Sequence, residues 1–166
     1  MRTDELVHKA SRGVRTIIRL ALGALFVYSG WVKLRQPKPA ADFLASVLYT
    51  DVAWAIPIVA AIELALGLWL LLGVRVDRSA TAAFGMFLCF GALHAFALVT
   101  PTSTPTCGCL GQVEAVRNWP VGVWLALNGV LALVAGILAM TSVRSRAGRR
   151  MVVHEQKGGG REAKLS

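Results

Sequence analysis

Two cysteines separated by a single residue, Cys107 and Cys109 in Thr106-Cys107-Gly108-Cys109-Leu110-Gly111, have the spacing most specific for chemistry in this sequence. A disulfide between residues two apart closes a small, strained ring, and Gly108 supplies the backbone freedom to close it. Strained, accessible disulfides exchange readily with an incoming thiolate. Pro101 and Pro105 keep the approach to the pair out of helix. A purely structural bridge is unattractive, because joining near neighbours removes almost no chain entropy. Metal handling is an alternative: Cys-x-Cys suits Cu(I), whereas a zinc site needs more ligands than two thiolates. His94 is the one histidine expected on the same side. An incidental pair is the third reading, and no resident metal is expected.

A second set of polar residues lies inside apolar sequence: Tyr28, Ser29 and Lys33, then Glu63, His94 and Asn128. A carboxylate at mid-membrane depth must be paired or protonated, and Lys33 is the candidate partner for Glu63. At about 1.5 Å per residue, His94, Asn128 and Glu63 lie about 8, 12 and 15 Å from the outer ends of their helices. They therefore share one half of the bilayer with Tyr28 and Ser29, which suggests a polar pocket opening outward. The plainer alternative is interhelical glue, with Asn128, Ser29 and His94 bonding across a bundle. Cys89, amid apolar residues, reads as a small buried filler.

The elements that must hold these residues are membrane helices. The chain has 166 residues, 55% apolar and only 16% charged, against about 45–50% and about 25% in soluble domains. For the chain as a whole, that composition excludes a soluble enzyme domain, a disordered polypeptide and a disulfide-dense secreted module. Residues 52–74 carry one charge, Glu63, while residues 80–99 and 119–143 carry no Asp, Glu, Lys or Arg. Each approximates the 20 residues needed to cross the hydrocarbon core. Residues 20–32 are uncharged and span if Arg19 and Lys33 snorkel to the interfaces. Four spans follow, at about 16–34, 53–73, 79–99 and 120–142. The first resembles a signal peptide, but Pro39-Ala40-Ala41 is a poor cleavage site, and Trp31, Lys33 and Arg35 read as an interfacial anchor. In residues 40–49, Phe43, Leu44, Val47 and Leu48 match a short helix in the outer interface. The expected fold is all-α: a polytopic membrane protein, a four-helix bundle with that short helix in its first outer loop.

The net charge of +9 would suggest nucleic acid in a soluble protein. Here it marks orientation. With both termini and the second loop on one side, that side holds fourteen of the 18 Lys and Arg, and the other holds four. The positive-inside rule puts both termini in the cytoplasm and the Cys107–Cys109 loop outside, where disulfides persist. The organisation is then a basic N-terminus at 1–15, a membrane domain at 16–142 and a basic tail at 143–166. Residues 151–166, with Gly158-Gly159-Gly160, are expected to be disordered. A lipid bilayer and no nucleic acid are the expected surroundings.

These parts together resemble the MauE (methylamine-utilisation) branch of the DoxX-like membrane proteins, over about residues 14–142. The resemblance is carried by Phe26-Val27-Tyr28-Ser29-Gly30-Trp31-Val32-Lys33-Leu34, by Phe43 and Tyr49, by Glu63 and Gly67 in Glu-Leu-Ala-Leu-Gly, by Cys107-Gly108-Cys109, and by Asn128. Leu110 stands where the family usually has Phe, and Ala126-Leu127 where an arginine often precedes the asparagine. The resemblance implies a four-helix protein of the cell's inner (plasma) membrane. Such a protein would support maturation, export or disulfide formation of an extracytoplasmic client, the methylamine dehydrogenase small subunit in the family. It would act beside a thioredoxin-like partner. Cys107 and Cys109 would then be the catalytic residues, with the polar pocket beneath them. Related DoxX-like proteins imply an alternative, a quinone-associated subunit of an oxidoreductase. Two further alternatives are a non-enzymatic assembly subunit and, without inverted repeats to support it, a small-molecule carrier.

Overall fold

The computed structural model describes the backbone of residues 2–50, 52–100 and 119–162. The described residues form five helices: α1 (Arg2–Arg35), α2 (Pro37–Leu48), α3 (Ala55–Leu72), α4 (Val76–Val99) and α5 (Val121–Glu162). No strand occurs among them. Four segments are long and apolar enough to cross a membrane: Gly13–Arg35, Ala55–Leu72, Val76–Val99 and Val121–Val143. They agree with the expected spans to within a few residues, and with the all-α, four-span membrane fold.

The breaks between helices follow local chemistry. Gln36 precedes Pro37, which disfavours helix at Gln36 and suits the first position of α2. α2 stops at Tyr49, which adopts a left-handed φ of 55°. α3 closes on Gly73 at φ 70°, whose N–H reaches the Leu70 and Trp69 carbonyls. Only a residue without Cβ takes that conformation freely. Thr100, before Pro101, is extended and ends α4.

Within the bundle α1 packs along α3 and α4 along α5, while the two pairs touch each other more sparsely. The first pair is drawn together by glycine. A Cβ on Gly67 would stand 2.8 Å from the Gly23 carbonyl oxygen and the Val27 nitrogen, and one on Gly30 would stand 2.7 Å from the Ala60 carbonyl oxygen. Small residues permit this close backbone approach, the usual basis of helix association in lipid. Between the pairs lies a core of Leu22, Phe26, Leu70, Phe87, Ala135 and their neighbours. A second cluster, at the α2 end, joins Phe43 and Val47 of α2 to Ala97 and Trp124. The expected short helix thus exists, with Phe43 and Val47 turned into the bundle and Leu48 exposed.

Two features differ from expectation. α5 continues in helical backbone through Glu162, across much of the stretch expected to be disordered. Extending a helix already nucleated in the span costs far less than starting one. Cys89 is exposed on α4 rather than buried as a filler. Its position along the chain gave its depth, but its helical phase turns it outward.

Candidate functional site

Ser29 and Lys33 lie one turn apart on α1, facing Glu63 of α3 across the glycine-lined crossing. Lys33 Nζ donates to Ser29 Oγ at 2.8 Å and to both carboxylate oxygens of Glu63, at 2.8 and 2.9 Å. Ser29 Oγ in turn donates to Glu63 Oε1 at 3.2 Å. The three N–H groups of the ammonium thus meet three acceptors. Ser29 is 7%, Lys33 3% and Glu63 0% exposed, so this is a fully buried ion pair. Lys33 Nζ also lies 5.4 Å from the centre of the Phe90 ring on α4. The difference in depth between Lys33 and Glu63 is closed by side-chain direction. Helical side chains tilt toward their own N-terminus, which carries the Lys33 ammonium down α1 onto Ser29 and Glu63.

Ser29 and Glu63 also line a cavity of about 50 Å³ between the two helix pairs, with Phe87 and Phe90 of α4 and Trp124 and Asn128 of α5. Asn128 donates one amide N–H to the Trp124 carbonyl at 2.9 Å, one turn back on its own helix. The cavity is about a third of the ~150 Å³ that takes a benzene-sized ring. A quinone headgroup would therefore require the helix pairs to part. On the other side of the ion pair, a groove of about 490 Å³ at the α2 end is lined by Lys33, Pro37, Lys38, Asp42 and Pro57, among others. The Lys33–Glu63 pair stands between the two spaces.

The remaining expected residues fall elsewhere. His94 is buried at 1% exposure, with its ring 5.3 Å from that of Phe43. Its Nδ1 lies 2.6 Å from the Phe90 carbonyl oxygen, and its Nε2 has no hydrogen-bond partner among the described residues. His94 packs on Phe43 of the cluster under α2 and is not among the residues lining the cavity. Tyr28 is 46% exposed and does not join the pocket expected of it. One residue is 100° of helix, so Tyr28 shares the depth of Ser29 but not its face. Cys107 and Cys109 lie outside the described residues. The segment that carries them is anchored at Thr100 and Trp119, on the α2 end. Among the described residues no group of three or more His, Cys, Asp or Glu is placed to hold a metal.

Trp124 and the packing role of three glycines escaped the sequence reading. Trp124 lines the cavity, and the available signal was its i, i+4 spacing to Asn128. Gly23, Gly30 and Gly67 set the distance between α1 and α3, and their signal was small residues recurring on facing spans.

The family model described as "Methylamine utilisation protein MauE" matches residues 11–141. No curated protein and no solved structure matches significantly.

Proposed function

The chain belongs to the MauE family of methylamine-utilisation proteins, and from that premise we propose that it is a membrane thiol–disulfide exchange protein. The observation that carries this reading is the Cys107-Gly108-Cys109 sequence in the segment joining α4 to α5. Charge asymmetry supports placing that segment and α2 on the extracytoplasmic face of the plasma membrane, with both termini inside. There the pair exchanges with a thioredoxin-like partner and so assists disulfide formation in a client, a dehydrogenase small subunit by family likeness.

The exchange balances in two steps. A thiolate of the partner attacks the Cys107–Cys109 disulfide, giving a mixed disulfide and one free cysteine thiolate here, which takes up a proton. The partner's second thiol loses its proton and attacks the partner's own sulfur in the mixed disulfide, expelling the second cysteine of the pair as a thiolate that is protonated in turn. The partner leaves as a disulfide, and Cys107 and Cys109 remain as a dithiol, having gained two electrons and two protons. The reverse sequence reduces the partner.

The test replaces Cys107 and Cys109 with Ser, together and singly. The double variant should accumulate in the membrane yet lose client maturation, and one single variant should trap a mixed disulfide with a soluble partner. Normal maturation with no trapped species refutes the exchange role and leaves a non-enzymatic assembly subunit.

A further inference from the structure

At the end of the bundle away from α2, a groove of about 590 Å³ lies between α4 and α5. Leu133, Met140 and Val143, each more than half exposed, line it together with Gly136 and Phe84. A Cβ on Gly136 would stand 3.5 Å from the Phe84 ring, so the missing side chain leaves open room beside that ring. The Thr81 hydroxyl, the single polar side chain in the lining, donates to the Asp77 carbonyl at 2.8 Å. An occupant therefore needs no polar group along this length. Leu133 and Val143 are ten residues apart on α5, about 15 Å along the helix. That is half of the roughly 30 Å hydrocarbon core, the depth of one leaflet. The groove runs out where α4 begins and the α5 span stops. The flanking sequence there, residues 75–78 and 144–150, holds six arginines and one acid, Asp77. Arg78 is exposed and lies one turn before Thr81 on α4.

We propose that this groove holds one acyl chain of an anionic phospholipid, with the headgroup phosphate met by Arg78 at the arginine-rich end. The chain makes apolar contact over the depth of its own leaflet, which brings the phosphate to the level of the cations. Each Lys or Arg at that level favours anionic over neutral lipid. A second copy of the protein suits the groove less well. A two-fold axis along the membrane normal would set the same arginine-rich ends side by side, like charge against like. The inference rests neither on the cysteine chemistry nor on which side of the membrane this end faces.

The test is native mass spectrometry of the full chain released from detergent micelles, titrated with dioleoylphosphatidylglycerol or with dioleoylphosphatidylcholine. One phosphatidylglycerol should stay bound, about tenfold more tightly than phosphatidylcholine. Gly136→Leu, which fills the groove, should lose this adduct. Leu88→Trp, at an exposed α4 position outside the groove, should keep it. If Gly136→Leu fails to accumulate, Ala139→Leu crowds the same space. Arg78→Gln should cut the preference for phosphatidylglycerol about fivefold, the worth of one arginine near an anionic headgroup. Equal retention of the two lipids would overturn the proposal, as would an adduct unchanged in the groove-filling variants. An undiminished preference in Arg78→Gln would overturn the headgroup assignment. A lipid-free dimer that Gly136→Leu dissociates would overturn the lipid in favour of a second copy.

Discussion

Removing one partner of the Lys33–Glu63 pair should destabilise the bundle far more than removing both. Each charge is at most 3% exposed, and the ammonium bonds both carboxylate oxygens at 2.8 and 2.9 Å. Lys33→Met leaves a lone carboxylate in the bundle, and Glu63→Leu leaves a lone ammonium. Orphaning one member of a buried pair costs about 3–5 kcal/mol, roughly two to four powers of ten in the folded-to-unfolded ratio. The Lys33→Met/Glu63→Leu double variant has no charge to orphan. Replacing a buried pair with apolar groups of similar volume is often neutral or stabilising, so the double variant should lie within about 1 kcal/mol of the parent chain. The Ser29 hydroxyl then loses its bonds to Lys33 and Glu63. The assay is equilibrium unfolding in mixed detergent–lipid micelles, run as a double-mutant cycle. Two single effects that simply add in the double variant would refute the argument. So would single variants within about 1 kcal/mol of the parent.

Two further outcomes follow from the geometry. Gly67→Ala drives a methyl into the Gly23 carbonyl and the Val27 nitrogen, so it should cost about 1–3 kcal/mol. Gly129→Ala meets nothing within 4 Å and should be neutral or up to about 1 kcal/mol stabilising through helix propensity; the same unfolding assay compares them. For orientation, Lys38→Cys should label with a membrane-impermeant maleimide added to whole cells. Arg78→Cys should label only after lysis, and the opposite pattern would invert the proposed topology.

The spans were legible because length and apolarity alone define them, and α2 because Phe43 and Val47 fall one turn apart. The Lys33–Glu63 pairing was legible as charge chemistry, since a mid-span carboxylate needs a partner and few cations were near. What depth along a helix cannot give is its facing. Tyr28 and Cys89 were placed at the correct level but on the wrong side, and His94 was grouped with Asn128 although it sits against Phe43. The glycine crossing was hidden for a different reason. A close approach needs matching small residues on two spans at once, and Gly67 means little until Gly23 and Val27 stand opposite it.

Because α1 and α3 precede α4 and α5 in the chain, the whole ion pair resides in a hairpin that emerges before those two helices during synthesis. A single Lys or Glu passing from translocon to bilayer faces an insertion penalty of a few kcal/mol. A hairpin that crosses as a unit can bring Lys33 and Glu63 in already matched, before α4 and α5 exist to shield them. The tight glycine seam is then an early assembly device. It sets the order in which the protein can be built as well as the shape in which it ends.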